Sequence, residues 1–231
     1  MLTVEKTLEG VAQAHKDKPF FEHPLWGGLL EGTFSKAQMK EFAKQFGIIP
    51  LWNHNYHGRL YVICPNHRWR EKIAEVVYEE GTGRLFADGV PHNQLYLNFG
   101  ADLGIAEDEM WNTDYCPEAV AFRAYFTHMC GKSFLEGVAS HMLAGEAQGP
   151  GVFARMSETF KRRFDMTDKG VAFWVVHDVA DGDHSSIGEE LLADFAPTET
   201  DRQIVLETVK ETIDMTFLLY DGIHKRMRAL A

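Results

Sequence analysis

The sequence predicts one all-helical domain over residues 1–231, a bundle of about seven to nine helices. Three observations point there. Apolar residues recur at intervals of three and four far more than two, the period of helices rather than strands. The breaks between these stretches are short and rich in Gly, Pro, Asn or Asp, as in GTGRLFADG, AQGPG and DFAPTET. A chain of 231 residues with 45% apolar and 25% charged residues has the balance of a soluble globular protein and can bury a substantial core.

Taken in order, residues 4–15 form the first helix and 24–30 a short second one. Ser35-Lys36-Ala37-Gln38 has the form of a capping box, in which the serine and glutamine side chains satisfy free backbone donors. The helix it opens is predicted to run to about residue 63, bent at Pro50, where the ring clashes and an amide is missing. Cys64-Pro65-Asn66 ends it. Further helices are predicted at 69–80, 91–103, 117–145, 151–164, 169–192 and 200–230.

A net charge of −11, with no basic run longer than Lys161-Arg162-Arg163, excludes a nucleic-acid footprint. Three cysteines, none in a CxxC, point to a reducing compartment rather than a disulfide framework. MLTVEKTLEG lacks the order of a signal peptide, and no stretch nears the roughly eighteen apolar residues of a membrane span. A cytoplasmic location is expected.

Chemistry concentrates in HDVADGDHSSIGEE, which follows the apolar run GVAFWVV. His177, Asp181 and His184 stand at i, i+4 and i+7, within roughly 60° of arc on one helical face. Asp178 and Asp183 point elsewhere, toward water. Two imidazoles and a carboxylate on one stripe suit a first-row divalent metal; the alternative for an isolated HxxxDxxH is a charged outer face. Other helices offer partners: Glu79, with Glu80 as its competitor, ends EKIAEVVYEE, Glu146 ends SFLEGVASHMLAGE, and His92 follows Pro91. An acid on such apolar helices is either exposed or held by a partner, because an unpaired buried carboxylate is costly.

Glu79, His92, Glu146 and His177-x3-Asp181-x2-His184 resemble the six-ligand pattern of the heme-oxygenase-like di-iron oxidases and oxygenases, the superfamily of the TenA, PqqC and CADD-like proteins. The likeness spans nearly the whole chain, through EHPLWGGLLEGTFSKAQMKEFAKQF, VVYEEGTG, PHNQLYLNFGADLG, GEAQGPGVFARM and VVHDVADGDHSSIGEE. It implies a heme-oxygenase-like bundle that holds two Fe(II) ions, uses O2 as co-substrate and oxidises a small molecule. An amino acid or carboxylic acid derivative is expected, by N-oxygenation, desaturation or C–C cleavage. Pairing into a homodimer is implied only by the same likeness.

Two departures stand out. Thirteen positions separate Glu79 from His92, with Gly81, Gly83, Gly89 and Pro91 between them, whereas CADD-like members hold the two closer together on continuous helix. The self-sacrificing aminobenzoate-forming branch has a tyrosine near Trp26 and a lysine near Met156. Neither is present, so an external substrate is expected.

Trp26, His54, His57 and Phe173 are the candidate substrate contacts, with Arg59 and Lys132 as carboxylate clamps; the alternatives are plain core for the aromatic residues, caps or hydrogen bonds within the bundle for the two histidines, and solvated charges for Arg59 and Lys132. His128, His141 and Met142 are read as core; His141 falls five residues before Glu146, off its stripe on a 3.6-residue wheel. The rival readings are a metal-free TenA-like hydrolase or PqqC-like oxidase, the hydrolase needing a nucleophilic cysteine, and a helical binding protein without catalysis.

Overall fold

The architecture follows from where the chain caps and breaks its helices. In the computed structural model, which describes residues 1–145 and 151–230 and leaves aside the side chains of 179–189, helices α1 (Val4–Asp17), α2 (Pro24–Glu31), α3 (Lys36–Phe46) and α4 (Asn53–Ile63) come first. The predicted capping box opens α3: Ser35 Oγ accepts the Gln38 N–H at 3.3 Å, and Gln38 Oε1 accepts the Ser35 N–H at 2.9 Å. The helix predicted over 35–63 is interrupted rather than bent. Tight turns occupy 47–52, and α4 restarts beyond Pro50.

Helices α5 (His67–Thr82), α6 (His92–Asp102), α7 (Glu107–Trp111), α8 (Pro117–Lys132) and α9 (Phe134–Val138) follow. The helix predicted over 117–145 is also divided. Ser133 adopts an extended backbone, caps α9 through its Oγ and leads on to a π-helical segment, Ala139–Gly145. Helices α10 (Val152–Phe164), α11 (Asp168–Phe195) and α12 (Glu199–Arg228) complete the chain, the last two capped by Thr167 and Thr198. Twelve α-helices thus stand among the described residues, against the seven to nine expected. The excess comes from these interruptions and from α7, a short helix with an acidic first turn that none of the predicted helices covers. No described residue is in a strand, and no described helix is long and apolar enough to cross a membrane.

At the centre, α11 packs against α6 and α10, while α12 lies across α8, α1 and α3. Aromatic rings fill the space between them. Trp174 of α11 contacts Phe42, Phe46, Phe99, Phe153 and Trp26, with ring centroids 5.5–6.4 Å apart. Each fully buried ring of this size contributes about 2–3 kcal/mol or more through area removed from water. The bundle is therefore firm on one side of α11, and the polar cluster described next is held against that support.

Candidate metal centre

The last turns of α5 place two glutamates side by side. Gly83 ends the helix in the left-handed region, at φ 62°, and a Cβ there would lie 2.0 Å from the Val90 carbonyl oxygen. Glycine is therefore required for the loop to close on itself. The Ala87 and Gly89 N–H groups donate to the Gly83 carbonyl at 3.0 and 2.8 Å, which folds residues 83–90 back over the helix end. His92 then opens α6 directly beside α5.

The consequence is a buried row of charge. Glu79, Glu80 and His92 are all nearly sealed from solvent. His92 Nε2 lies 3.1 Å from Glu79 Oε1, and His92 Nδ1 lies 3.2 Å from Glu80 Oε1. Glu79 also accepts the Leu85 N–H at 2.6 Å and the Phe86 N–H at 3.2 Å. His177 of α11 faces His92, with ring centroids 4.9 Å apart at 66°. Its Nδ1 lies 2.7 Å from the Phe173 carbonyl oxygen, so Nδ1 donates to it and Nε2 is the nitrogen on the far side of the ring.

Ligand atoms of Glu80, His92 and His177 fall within 4.8 Å of one another. One carboxylate and two imidazoles form a mixed hard-oxygen and nitrogen set, which fits a first-row divalent ion such as iron. The electrostatics agree. Burial acts to raise the Glu80 carboxyl, but the contact and charge of His92, with the charges of His57 and His177, outweigh it and hold the group below the ordinary carboxylate range. Burial acts to lower the His92 imidazole, and Glu80 and Glu79 outweigh it in turn and raise it. A cluster that stabilises a positive charge at its centre is suited to a cation.

Glu80 and His177 also line a cavity of about 100 Å³. Trp26, Phe46, Phe153, Phe173, Trp174 and Tyr220 wall it, and Asn53, His141 and Thr216 add polar groups. Of the predicted substrate contacts, Trp26 and Phe173 line this space. His57 stands just outside it, fully buried, its ring 4.0 Å from that of His141. His54 faces a separate surface groove with Arg59 and Arg123, and Lys132 pairs with Glu136 at 2.5 Å, so neither Arg59 nor Lys132 reaches the cavity wall.

Among the predicted ligands, His92 and His177 come together, and it is Glu80 that joins them. Glu79 touches His92 from the other side. Glu146 lies outside the described residues, as do the side chains of Asp181 and His184, although α11 runs unbroken through both positions. Asp178 leaves the stripe as expected but does not simply face water. Its Oδ1 accepts the N–H groups of Gly151, Phe153 and Ala154 at 2.9–3.2 Å and so caps α10. His141, read as core, lines the cavity, because the π-helical segment that holds it departs from the 3.6-residue wheel.

Comparison with known proteins places these observations. The family described as iron-containing redox enzyme matches residues 40–217. A 4-aminobenzoate synthase from Chlamydia pneumoniae is 25% identical over 199 residues, 86% of each chain. Another from Nitrosomonas europaea is 23% identical over 229 residues, covering 96% of this chain and 92% of that one. Among solved structures, a CADD-like protein of unknown function from Nostoc punctiforme superposes with a TM-score of 0.79 at 13% identity, over 97% of this chain and 98% of that one. A TenA homologue from Pseudomonas syringae gives 0.76 at 12% identity, over 96% and 92%. A domain with a heme oxygenase-like fold from Shewanella denitrificans also gives 0.76, at 14% identity, over 100% and 95%. These structural likenesses establish the fold, and the match over well more than half the chain, through α5, α6 and the whole of α11, establishes the lineage: the protein belongs to the iron-containing redox enzyme family with the heme oxygenase-like fold.

Proposed function

We propose that this protein is a non-heme di-iron oxidase or oxygenase that uses O2 to oxidise a small molecule, an amino acid or carboxylic acid derivative. N-oxygenation, desaturation and C–C cleavage are the reactions that the family resemblance implies. One observation carries the proposal: Glu80 and His177, two members of the buried carboxylate–imidazole cluster, open directly onto an aromatic-walled cavity. Bound iron supplies the electrons and open coordination positions for O2 chemistry.

The remaining work falls to the chain. Glu80, His92 and His177 would hold one metal ion, and Glu146, Asp181 and His184 would complete a two-metal set, as the family resemblance implies. Inward Glu and His from facing helices build di-metal sites in helical bundles in this way. The aromatic walls exclude water and orient the substrate's apolar part. Asn53, His141 and Thr216 supply hydrogen bonds to its polar end.

The relatives named 4-aminobenzoate synthase raise a second reading, formation of an aminobenzoate from a residue of the chain itself. Trp26 and Met156, both buried, stand where a tyrosine and a lysine would be needed, which supports an external substrate. A cysteine-dependent hydrolase has less support still: Cys64, Cys116 and Cys130 are buried, none is among the described residues that line the cavity, and burial pushes the Cys116 thiol up.

Anaerobic Fe(II) titration, followed by exposure to O2, tests the proposal. Two irons per chain and a transient visible absorption band are expected; no stoichiometric uptake by the folded protein overturns it. Mass analysis of the same sample without added substrate separates the second reading, which requires 4-aminobenzoate to appear.

A further inference from the structure

Glu79 and Glu80 are consecutive, equally buried, and both in contact with the same histidine, yet their free coordination capacity differs. An ionised carboxylate offers about four lone-pair positions. Three donors reach Glu79: the Leu85 N–H on Oε2 and, on Oε1, the Phe86 N–H and His92 Nε2. Two of these are main-chain groups of a loop that the Gly83–Val90 approach locks shut. Glu80 faces the other way. Its Oε1 meets His92 Nδ1, and its side chain reaches the cavity that His177 also lines. His92 Nδ1 is buried with no well-directed hydrogen bond, whereas Nε2 has one.

We propose that Glu79 is a positioning residue and not a metal ligand: it accepts Nε2–H of His92, turns Nδ1 toward the ion held with Glu80 and His177, and is itself fixed by the Leu85 and Phe86 amides. The assignment rests on the iron reading above. It follows from a general property of metal-bound histidine, whose second ring nitrogen donates to a carboxylate or carbonyl that sets tautomer and orientation and strengthens the ligand. His177 shows the same device with a different acceptor, the Phe173 carbonyl. The loop over residues 83–90 is thereby part of the metal site without contributing a ligand.

The test uses the full chain loaded with Zn(II), a diamagnetic probe, and ¹⁵N-labelled histidine. His92 is expected to show metal-bound Nδ1 and protonated Nε2 resonances. E79Q is expected to keep wild-type metal stoichiometry with affinity reduced about 10–100-fold, and E80Q to lose stoichiometric binding. Wild-type protein that takes up neither Fe(II) nor Zn(II) overturns the iron reading and this assignment with it. Metal on Nε2 of His92, or loss of stoichiometry in a folded E79Q that E80Q retains, overturns the assignment alone. The nitrogen measurement needs no variant, so a misfolded E79Q leaves the assignment open to refutation.

Discussion

The loop side and the cavity side of α5's last turn are one residue apart and chemically opposed. On the loop side, backbone amides neutralise Glu79 with fixed dipoles that cannot be displaced without opening the turn. On the cavity side, Glu80 meets two ionisable imidazoles whose protons an arriving cation can replace. Neighbouring helical residues point about 100° apart, and at a helix end that angle decides between a structural anion and a ligand. A carboxylate's role is set by what its oxygens already hold.

The largest effects should come from the cavity side. Glu80→Ala and His177→Ala are each expected to abolish stoichiometric Fe(II) uptake while far-ultraviolet circular dichroism keeps its helical signature; undiminished uptake in either removes that residue from the ligand set. Next comes the loop. Gly83→Ala should destabilise the protein by about 3 kcal/mol, from positive φ together with the Val90 clash, read as a shift in the urea midpoint. Gly89→Ala is its control: φ is also positive, at 79°, but nothing lies near the added Cβ, so about 1 kcal/mol is expected. Equal costs for the two would show that the close approach to Val90 is not what holds the loop.

Smaller still, Asp178→Ala should cost about 1–2 kcal/mol, the range for a lost N-cap, because it frees three amides at the start of α10. The smallest effect belongs to His54→Ala. That side chain lines the outer groove, so iron stoichiometry and turnover should stay at wild-type values. A fall in either would extend the site across α4.

How much of this was legible in the sequence depended on whether the helical period stayed regular. The all-helical class and the Ser35 capping box follow from spacing alone, and so does the placing of His177, Asp181 and His184 on one unbroken helix, whose proposed metal role came from the family resemblance and not from the spacing. Glu79 against Glu80 did not, because the answer lies in how Gly83 ends the helix, and a wheel drawn over EKIAEVVYEE carries no record of the fold-back beyond it. His141 was hidden for a related reason: the π-helical segment changes the angle per residue. The cap that Asp178 provides for α10 was invisible because it links positions 25–27 residues apart, beyond any local pattern. His57 takes the second of the two roles its position left open, a hydrogen bond within the bundle to the Asn53 carbonyl, since helical spacing says which face a residue takes and not how deep its neighbours lie.

The Asp178 cap carries one more implication. It ties the amide of Phe153, whose ring walls the cavity, to the residue that follows His177, whose ring belongs to the metal cluster. The cavity and the proposed ion site therefore share a mechanical joint. Thermodynamic reciprocity then ties the two occupancies: whatever factor a cavity-bound molecule adds to iron affinity, iron must return to the binding of that molecule. Iron titrations run with and without trial acids would thus serve as a substrate screen that requires no turnover.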